Sequence, residues 1–169
     1  MEEHGILSRF AWKAVTIMTN PDLSWISGRL HPDDLRALEG VIVHLSGQRS
    51  ITLPQLLASW KHHVEKLEAD LSLPSSDRSV WGAHDLVAAL VLRDFIQDGL
   101  GALDVALRSK FEILLSEIDS LFISFTEPDD LLRVEKVDAR PGSEREWWWK
   151  RIPVTGPARE EVILYSGLN

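Results

Sequence analysis

The sequence predicts an all-α protein, a compact bundle of about six helices that forms a single domain over residues 1–169. Apolar residues recur at steps of three and four in several separate segments, which is the spacing of one helix face. Alternation with a period of two, which marks half-buried strands, is almost absent. A chain of 169 residues can bury such a core without disulfides or metal ions.

The centre of the predicted bundle is a helical hairpin over residues 79–125. Its first half contains residues 86–92, which are apolar on every side, as in a helix surrounded by other elements. Its second half carries a single apolar stripe. One continuous helix would be about 70 Å long, whereas a domain of this size has a radius of gyration of about 15–16 Å. We therefore expect a turn at Gly99–Gly101, with Gly99 as the C-terminal cap and Asp104 as the next N-cap.

Four further helices are expected before the hairpin, because start and stop signals bracket four segments with helical spacing. Pro32 and Pro54 stand where the first turn of a helix tolerates proline. Thr52 and Gln55 have the spacing of a capping box. The four predicted segments are residues 6–18, 21–28, 32–45 and 53–71.

Residues 126–169 are predicted to form a C-terminal arm that is mostly irregular or extended and wraps on the bundle. Residues 126–129 break the helical pattern with a proline, and residues 131–156 show no clean period. Pro157 can start a last short helix that runs to about Tyr165.

Composition excludes several classes of function. The formal net charge is −8, so the chain is a poor ligand for nucleic-acid phosphates and for anionic membrane surfaces. We expect no nucleic-acid or membrane partner. The absence of cysteine excludes thiolate metal sites and thiol nucleophiles, and it suits a cytoplasmic protein. No nucleotide-binding loop or serine-hydrolase elbow is present, so we predict no catalytic residues and no cofactor.

An acidic stretch between Phe111 and Leu132 contains no lysine or arginine. Its six acidic residues are Glu112, Glu117, Asp119, Glu127, Asp129 and Asp130. The simpler interpretation is a solvated face whose positive charge comes from other helices. The alternative is a contact surface for a basic protein, in which Asp129 and Asp130 steer the encounter.

Three adjacent tryptophans, residues 147–149, precede Lys150 and Arg151. Three consecutive side chains cannot share one face of a helix or strand. One of them, most simply Trp148, is therefore expected to point away from the surface that buries its neighbours. The alternative is that all three pack internally. Because exposed tryptophan beside arginine is typical of interface hot spots, Trp148 and Arg151 are predicted partner-binding residues.

The leading functional interpretation is a non-catalytic protein–protein interaction module with a basic protein partner. Trp148, Arg151, Asp129 and Asp130 are its predicted binding residues. Small acidic bundles can inhibit basic partners, as immunity proteins and antitoxins do for nucleases. This likeness is an analogy of composition and not a sequence match.

The alternative is a metal-dependent enzyme with a site in the bundle core. His44, His63 and His84 lie near apolar faces of three segments, so together with carboxylates they could bind an ion. No ligand spacing demands this, and partly buried histidines bonded to backbone carbonyls explain the same pattern. Asp94 flanks the apolar run, and its expected partner is Arg93 or a histidine.

Overall fold

The computed structural model of the protein describes residues 21–45, 49–138, 140 and 144–167. The helix predicted over residues 6–18 lies outside these ranges. Helix predominates in the described part, as predicted. The α-helices are α1 (Ser24–Ser27), α2 (Pro32–Glu39), α3 (Leu53–Ala69), α4 (Ala83–Leu100), α5 (Val105–Ser124), α6 (Arg133–Val137) and α7 (Pro157–Ser166). Within the described ranges, no helix is both long enough and apolar enough to cross a bilayer.

Two short antiparallel sheets depart from the all-α prediction. Strands β1 (Ile42–His44) and β2 (Ser50–Thr52) pair with Val43 opposite Ile51. The helix predicted over residues 32–45 therefore ends early, at Glu39. Gly40 follows it, and the β-branched residues after Gly40 favour a strand over a further helical turn. The second sheet lies in the C-terminal part of the chain and is described below.

Helix α3 follows β2 directly and begins at the predicted capping box. The backbone N–H of Gln55 donates to Thr52 Oγ1 at 3.4 Å, and the N–H of Thr52 donates to Gln55 Oε1 at 3.1 Å. The helix buries Leu56, Leu57, Trp60, Val64 and Leu67. Its contact with α4 is the most extensive between any two elements of the described part.

Helix α4 contains the run that the sequence marked as apolar on every side, and residues 86–92 are all buried. At Gly82, just before this helix, a Cβ atom would lie 1.9 Å from Glu161 Oε2, so the Glu161 carboxylate lies close against the backbone. That carboxylate comes from α7 and accepts the first N–H of α4, from Ala83, at 2.8 Å. A side chain of α7 thus caps the N-terminus of α4.

The turn between α4 and α5 lies where it was predicted, but its details differ. The helix continues through Gly99 and ends at Leu100, so the residue after its end is Gly101. Gly99 is needed for close packing, since a Cβ atom there would lie 2.8 Å from Leu53 Cδ1. Asp104 caps α5 as predicted and accepts from the N–H of Leu107 at 2.8 Å.

The predicted hairpin is only partly present as an arrangement. Both helices and their turn exist, but α5 packs mainly on α3, and its backbone approaches α4 much less. Trp60 of α3 stacks at an angle on Phe122 of α5, with ring centroids 5.4 Å apart. Helix α3 is therefore the shared packing partner of α4 and α5.

The prediction of a mostly irregular or extended C-terminal arm holds only in part for the described residues, because α6 was not expected and the extended segments pair as strands. Strand β3 (Thr126–Pro128) pairs with β4 (Arg151–Pro153), and the 3₁₀ turn Trp147–Lys150 leads into β4. Helix α7 packs on α6 and on α4, and its start at Pro157 confirms the prediction. The short strands were missed because three residues give too little alternation to show a period.

Candidate functional site

The second sheet brings together the segments that contain the four predicted binding residues. Pro128 lies opposite Arg151 in the β3–β4 ladder. Just beyond the ladder, the N–H of Asp129 donates to the carbonyl of Lys150 at 2.9 Å. Residues 129–130 therefore lie beside residues 148–151. The four side chains nevertheless differ in exposure, and three of them make their contacts within the protein.

Trp148 is buried, with 1% of its surface exposed, and the prediction that it points outward is wrong. The three tryptophans lie in a 3₁₀ turn, where successive side chains point about 120° apart. This turn directs Trp148 and Trp149 inward and leaves Trp147 half-buried. Trp147 meets the Trp148 ring edge-on at 5.6 Å. The structure thus fits the alternative in which the tryptophans pack internally.

Asp94 of α4 explains why two adjacent tryptophans can both be buried. Asp94 Oδ1 accepts the indole N–H of Trp148 at 2.7 Å and that of Trp149 at 2.9 Å. Burial raises the pKa of Asp94, and the hydrogen bonds from Trp149 and Trp148 offset this only in part. One carboxylate therefore satisfies both buried indoles, and the predicted partner of Asp94, Arg93, is engaged elsewhere.

Arg93 forms a two-pronged ion pair with Asp119 of α5. Its Nε and Nη2 atoms each donate to a different carboxylate oxygen at 3.0 Å. Asp119 Oδ1 also accepts the indole N–H of Trp60 at 3.0 Å. The guanidinium lies 4.1 Å from the centroid of the Trp148 ring, a cation–π distance. These contacts join α3, α4 and α5 to the tryptophan turn.

Asp138 anchors the other side of Trp149. Arg140 and Arg145 both donate to Asp138 Oδ2, at 2.7 Å and 2.5 Å. Burial alone would raise the pKa of Asp138, but the hydrogen bonds from the two arginines outweigh it and hold that pKa below its usual range. The two guanidiniums also lie over Trp149, at 4.5 Å for Arg145 and 5.2 Å for Arg140.

We call this set of contacts the indole–carboxylate network. It contains three carboxylates, three guanidiniums and three indoles: Asp94, Asp119, Asp138, Arg93, Arg140, Arg145, Trp60, Trp148 and Trp149. The positive and negative formal charges balance, and each charged group contacts another member. Such a network fixes the packing of the tryptophan turn against α4.

Arg151 and Asp129 are also engaged internally. Arg151 donates to Thr126 Oγ1 at 2.8 Å and to the Thr126 carbonyl at 2.6 Å. Asp129 is buried and its Oδ2 accepts the N–H of Val134 at 2.8 Å, at the start of α6. The expectation that Asp129 is a surface charge is therefore wrong. Asp130 is exposed, and no ion pair reaches it from the described residues.

The acidic stretch is largely neutralised by arginines, as its simpler interpretation expected. Their hydrogen bonds and ion pairs join Arg108 to Glu112, Arg29 to Glu117, Arg93 to Asp119 and Arg159 to Glu127. The Arg29 and Glu117 groups are each held in the charged form, since their hydrogen bond raises the pKa of one and lowers that of the other. Most of the predicted acidic surface is therefore already paired.

Two exposed leucines beside Asp130 were missed by sequence reasoning. Leu131 is 57% exposed and Leu132 is 43% exposed. Leu132 also has a left-handed backbone with φ of 51°, and it is the one non-glycine residue with positive φ in the described part. A leucine in this conformation costs roughly 1–2 kcal/mol. We call Asp130, Leu131 and Leu132 the tip surface.

The histidines of the alternative interpretation do not meet. His44 and His84 are exposed, whereas His63 is buried. His63 Nδ1 lies 2.8 Å from the Ser59 carbonyl, and its ring packs on Trp81 at 4.8 Å. Burial lowers the pKa of His63 to about 4. Across the described ranges, no three histidine, aspartate or glutamate side chains group closely enough to hold a metal ion.

Comparisons with known proteins add no relative to this picture. The chain matches no protein-family model, no curated protein and no solved structure.

Proposed function

We propose that this protein is a non-catalytic interaction module that binds a basic protein through the tip surface. The exposed leucine at a left-handed position is the observation that carries the proposal. Backbone strain persists where the surroundings impose it, and it concentrates at functional sites. Leu132 remains 43% exposed despite this strain, and contact with a partner is the role that we assign to it.

The composition of the tip surface suits such a contact. Leu131 and Leu132 supply apolar area, and Asp130 supplies a negative charge that the described residues leave unpaired. A small apolar centre with a charged rim is the usual anatomy of a protein interface. The formal net charge of −8 adds a long-range attraction for a basic partner and speeds encounter. Inhibition of a basic enzyme, as by immunity proteins, is one mode that this chemistry allows.

The test compares two exposed leucines on different elements. Leu131→Asp places a charge on the tip surface, and Leu164→Asp does the same on α7, where Leu164 is 58% exposed. Both variants should fold. In affinity capture from the native host, the tip variant should lose a basic protein that the wild type and the α7 variant retain. Equal capture by all three proteins, or loss with Leu164→Asp alone, would refute the proposal.

The charge of the partner can be tested once it is captured. Asp130→Lys should slow association with the partner, while Lys150→Glu, at the exposed end of the neighbouring 3₁₀ turn, should speed it. Both effects should shrink as ionic strength rises, because salt screens exposed charges. Association rates that move in the opposite directions would show that the partner is acidic.

A further inference from the structure

Helix α5 carries a second exposed surface that the tip surface does not include. Six residues on its outer side follow one another at steps of three and four, which is a heptad pattern over almost the whole helix. All six are exposed: Ala106, Ser109, Ile113, Ser116, Ser120 and Ile123. Ile113 is 61% exposed and Ile123 is 44% exposed. We call this line of residues the α5 seam.

The seam is less polar than its serines suggest. Ser109 Oγ donates to the Val105 carbonyl at 2.9 Å, and Ser116 Oγ donates to the Ile113 carbonyl at 2.7 Å. The hydroxyl protons of Ser109 and Ser116 are satisfied within the helix, so these two serines present small surfaces without a free donor. Small residues allow another backbone to approach closely, and the isoleucines can fill the space above them.

The order of large and small residues is self-complementary for antiparallel helices. When two copies pair antiparallel about a two-fold axis, Ala106 lies opposite the partner's Ile123, and Ile113 lies opposite the partner's Ser116. Ser109 then faces the partner's Ser120. Every isoleucine therefore meets a small residue. Parallel alignment would instead place each residue opposite its own copy, so layers of two isoleucines would alternate with layers of two small residues and leave gaps. The antiparallel alignment keeps such a small layer only where Ser109 and Ser120 meet.

The charges beside the seam favour the same alignment. Lys110 and Glu117 flank one side, seven residues apart, and both are half-exposed in their ion pairs with Asp34 and Arg29. Antiparallel pairing places each Lys110 beside the partner's Glu117, and the two-fold axis makes this contact twice. Parallel pairing would bring Glu112 toward the partner's Glu117, which is repulsive.

The space beside the seam can accept these contacts. An open groove of about 270 Å³ separates α5 from the segment before α2, and its lining includes Leu30, Lys110 and Ile113. On the opposite flank, Glu112 is already paired with Arg108 of the same helix. No unpaired acidic group from that flank opposes a second copy.

We propose that two copies of this chain associate antiparallel through the α5 seam. Sedimentation velocity over a range of concentrations should show a monomer–dimer equilibrium for the wild type. Ile113→Asp should weaken dimerisation by at least about tenfold, the loss produced by roughly 1.4 kcal/mol. Leu164→Asp, an equally exposed site on α7, should leave it unchanged. A wild-type chain that stays monomeric at all concentrations would overturn the proposal.

Charge reversal tests the direction of the helices. Lys110→Glu and Glu117→Lys should each weaken self-association, because each creates two like-charged contacts. Mixing the two variants should restore dimers, since every contact between the different chains then joins glutamate to lysine. Disturbance of the ion pairs with Asp34 or Arg29 would persist on mixing. Failure of the mixture to recover would therefore contradict the antiparallel arrangement.

Introduced cysteines give a geometric test, because the chain has none of its own. Under oxidation, a mixture of Ile113→Cys and Ser116→Cys should form a disulfide between the two different variants. Ser116→Cys alone should crosslink poorly, because antiparallel pairing offsets its two copies along the axis. Efficient crosslinking of Ser116→Cys alone would indicate parallel helices. Crosslinking of Ile113→Cys to a cysteine placed in residues 1–20 of the same chain would show that this segment covers the seam instead.

Discussion

The inner face of α4 and the outer face of α5 use their side chains in opposite ways. The inner face meets two tryptophans through Asp94 and Arg93, and its charges are paired and largely enclosed. The outer face presents small residues and two isoleucines to solvent. The residues that look most like a binding site in the sequence are thus structural, and the inconspicuous ones remain open. The residue type can suggest an interface hot spot, but only an exposed side chain can contact a partner.

The largest expected effect comes from breaking the inner network at Asp119. Asp119→Ala leaves the buried guanidinium of Arg93 without a carboxylate and the Trp60 indole without an acceptor. We expect the free energy of unfolding to fall by about 3–5 kcal/mol in denaturant titrations. Glu112→Ala, which removes only an exposed pair with Arg108, should cost less than about 1 kcal/mol. Similar losses for the two variants would mean that the network is not enclosed.

The loss of stability caused by replacing a tryptophan should increase with the burial of its ring. Trp148→Ala removes a fully buried ring and one donor to Asp94, so it should destabilise the fold by about 3–5 kcal/mol. Trp147→Ala removes a half-buried ring that is not part of the network, and it should cost clearly less. Thermal melts of both variants measure this difference. The reverse order would contradict the inward direction of Trp148.

A pH effect of intermediate size is expected from His63. Its pKa in the fold is lowered to about 4 by burial, whereas an unfolded histidine has a pKa of about 6.5. The unfolded chain therefore binds the proton more readily, and stability present at neutral pH is lost as the pH falls from 6.5 toward 4. Between pH 7 and pH 5 this loss should be about 2 kcal/mol.

The variant His63→Phe isolates this contribution. It keeps an aromatic ring beside Trp81 but cannot take up a proton, so its stability should change less over the same pH interval. Urea titrations at both pH values give the comparison. An equal loss in the variant and the wild type would assign the pH dependence to other groups.

The smallest expected change in stability is at the tip surface, and it is a stabilisation. Leu132→Asn replaces leucine by a residue that tolerates a left-handed backbone, so it should stabilise the fold by about 0.5–1 kcal/mol. The same change removes an apolar contact residue, and partner binding should weaken. Calorimetry of the isolated protein measures the first effect. Destabilisation would show that Leu132 contributes more packing than its exposure indicates.

Local signals in the sequence predicted correctly where α3 and α5 begin. The capping box at Thr52 and the N-cap at Asp104 were correct because each depends on hydrogen bonds within a few residues. The short strands were missed because three residues are too few to show alternation and because β3 pairs with β4, which is distant in sequence. The burial of Trp148 was missed for the second of these reasons, since it depends on Asp94, a residue 54 positions away.

The candidate sites also differ in how far the sequence could predict them. The seam on α5 was latent in the sequence, because the steps from Ala106 to Ile123 follow the helix period. The stronger stripe of large apolar residues on the same helix hid it. The strain at Leu132 could not be predicted, because a backbone angle at a non-glycine residue depends on the chain on both sides. Asp130 was correct as an exposed charge, while its neighbour Asp129 was not.

The carboxylate that Glu161 supplies to the start of α4 has a consequence for synthesis of the protein. Ala83 and Glu161 are 78 positions apart, so this contact can form only after nearly the whole described chain has left the ribosome. Contacts between distant residues slow folding, because a long loop must close before they form. The N-terminus of α4 therefore stays incompletely capped until α7 has been synthesised. A nascent chain stalled before residue 161 should accordingly remain a substrate for chaperones.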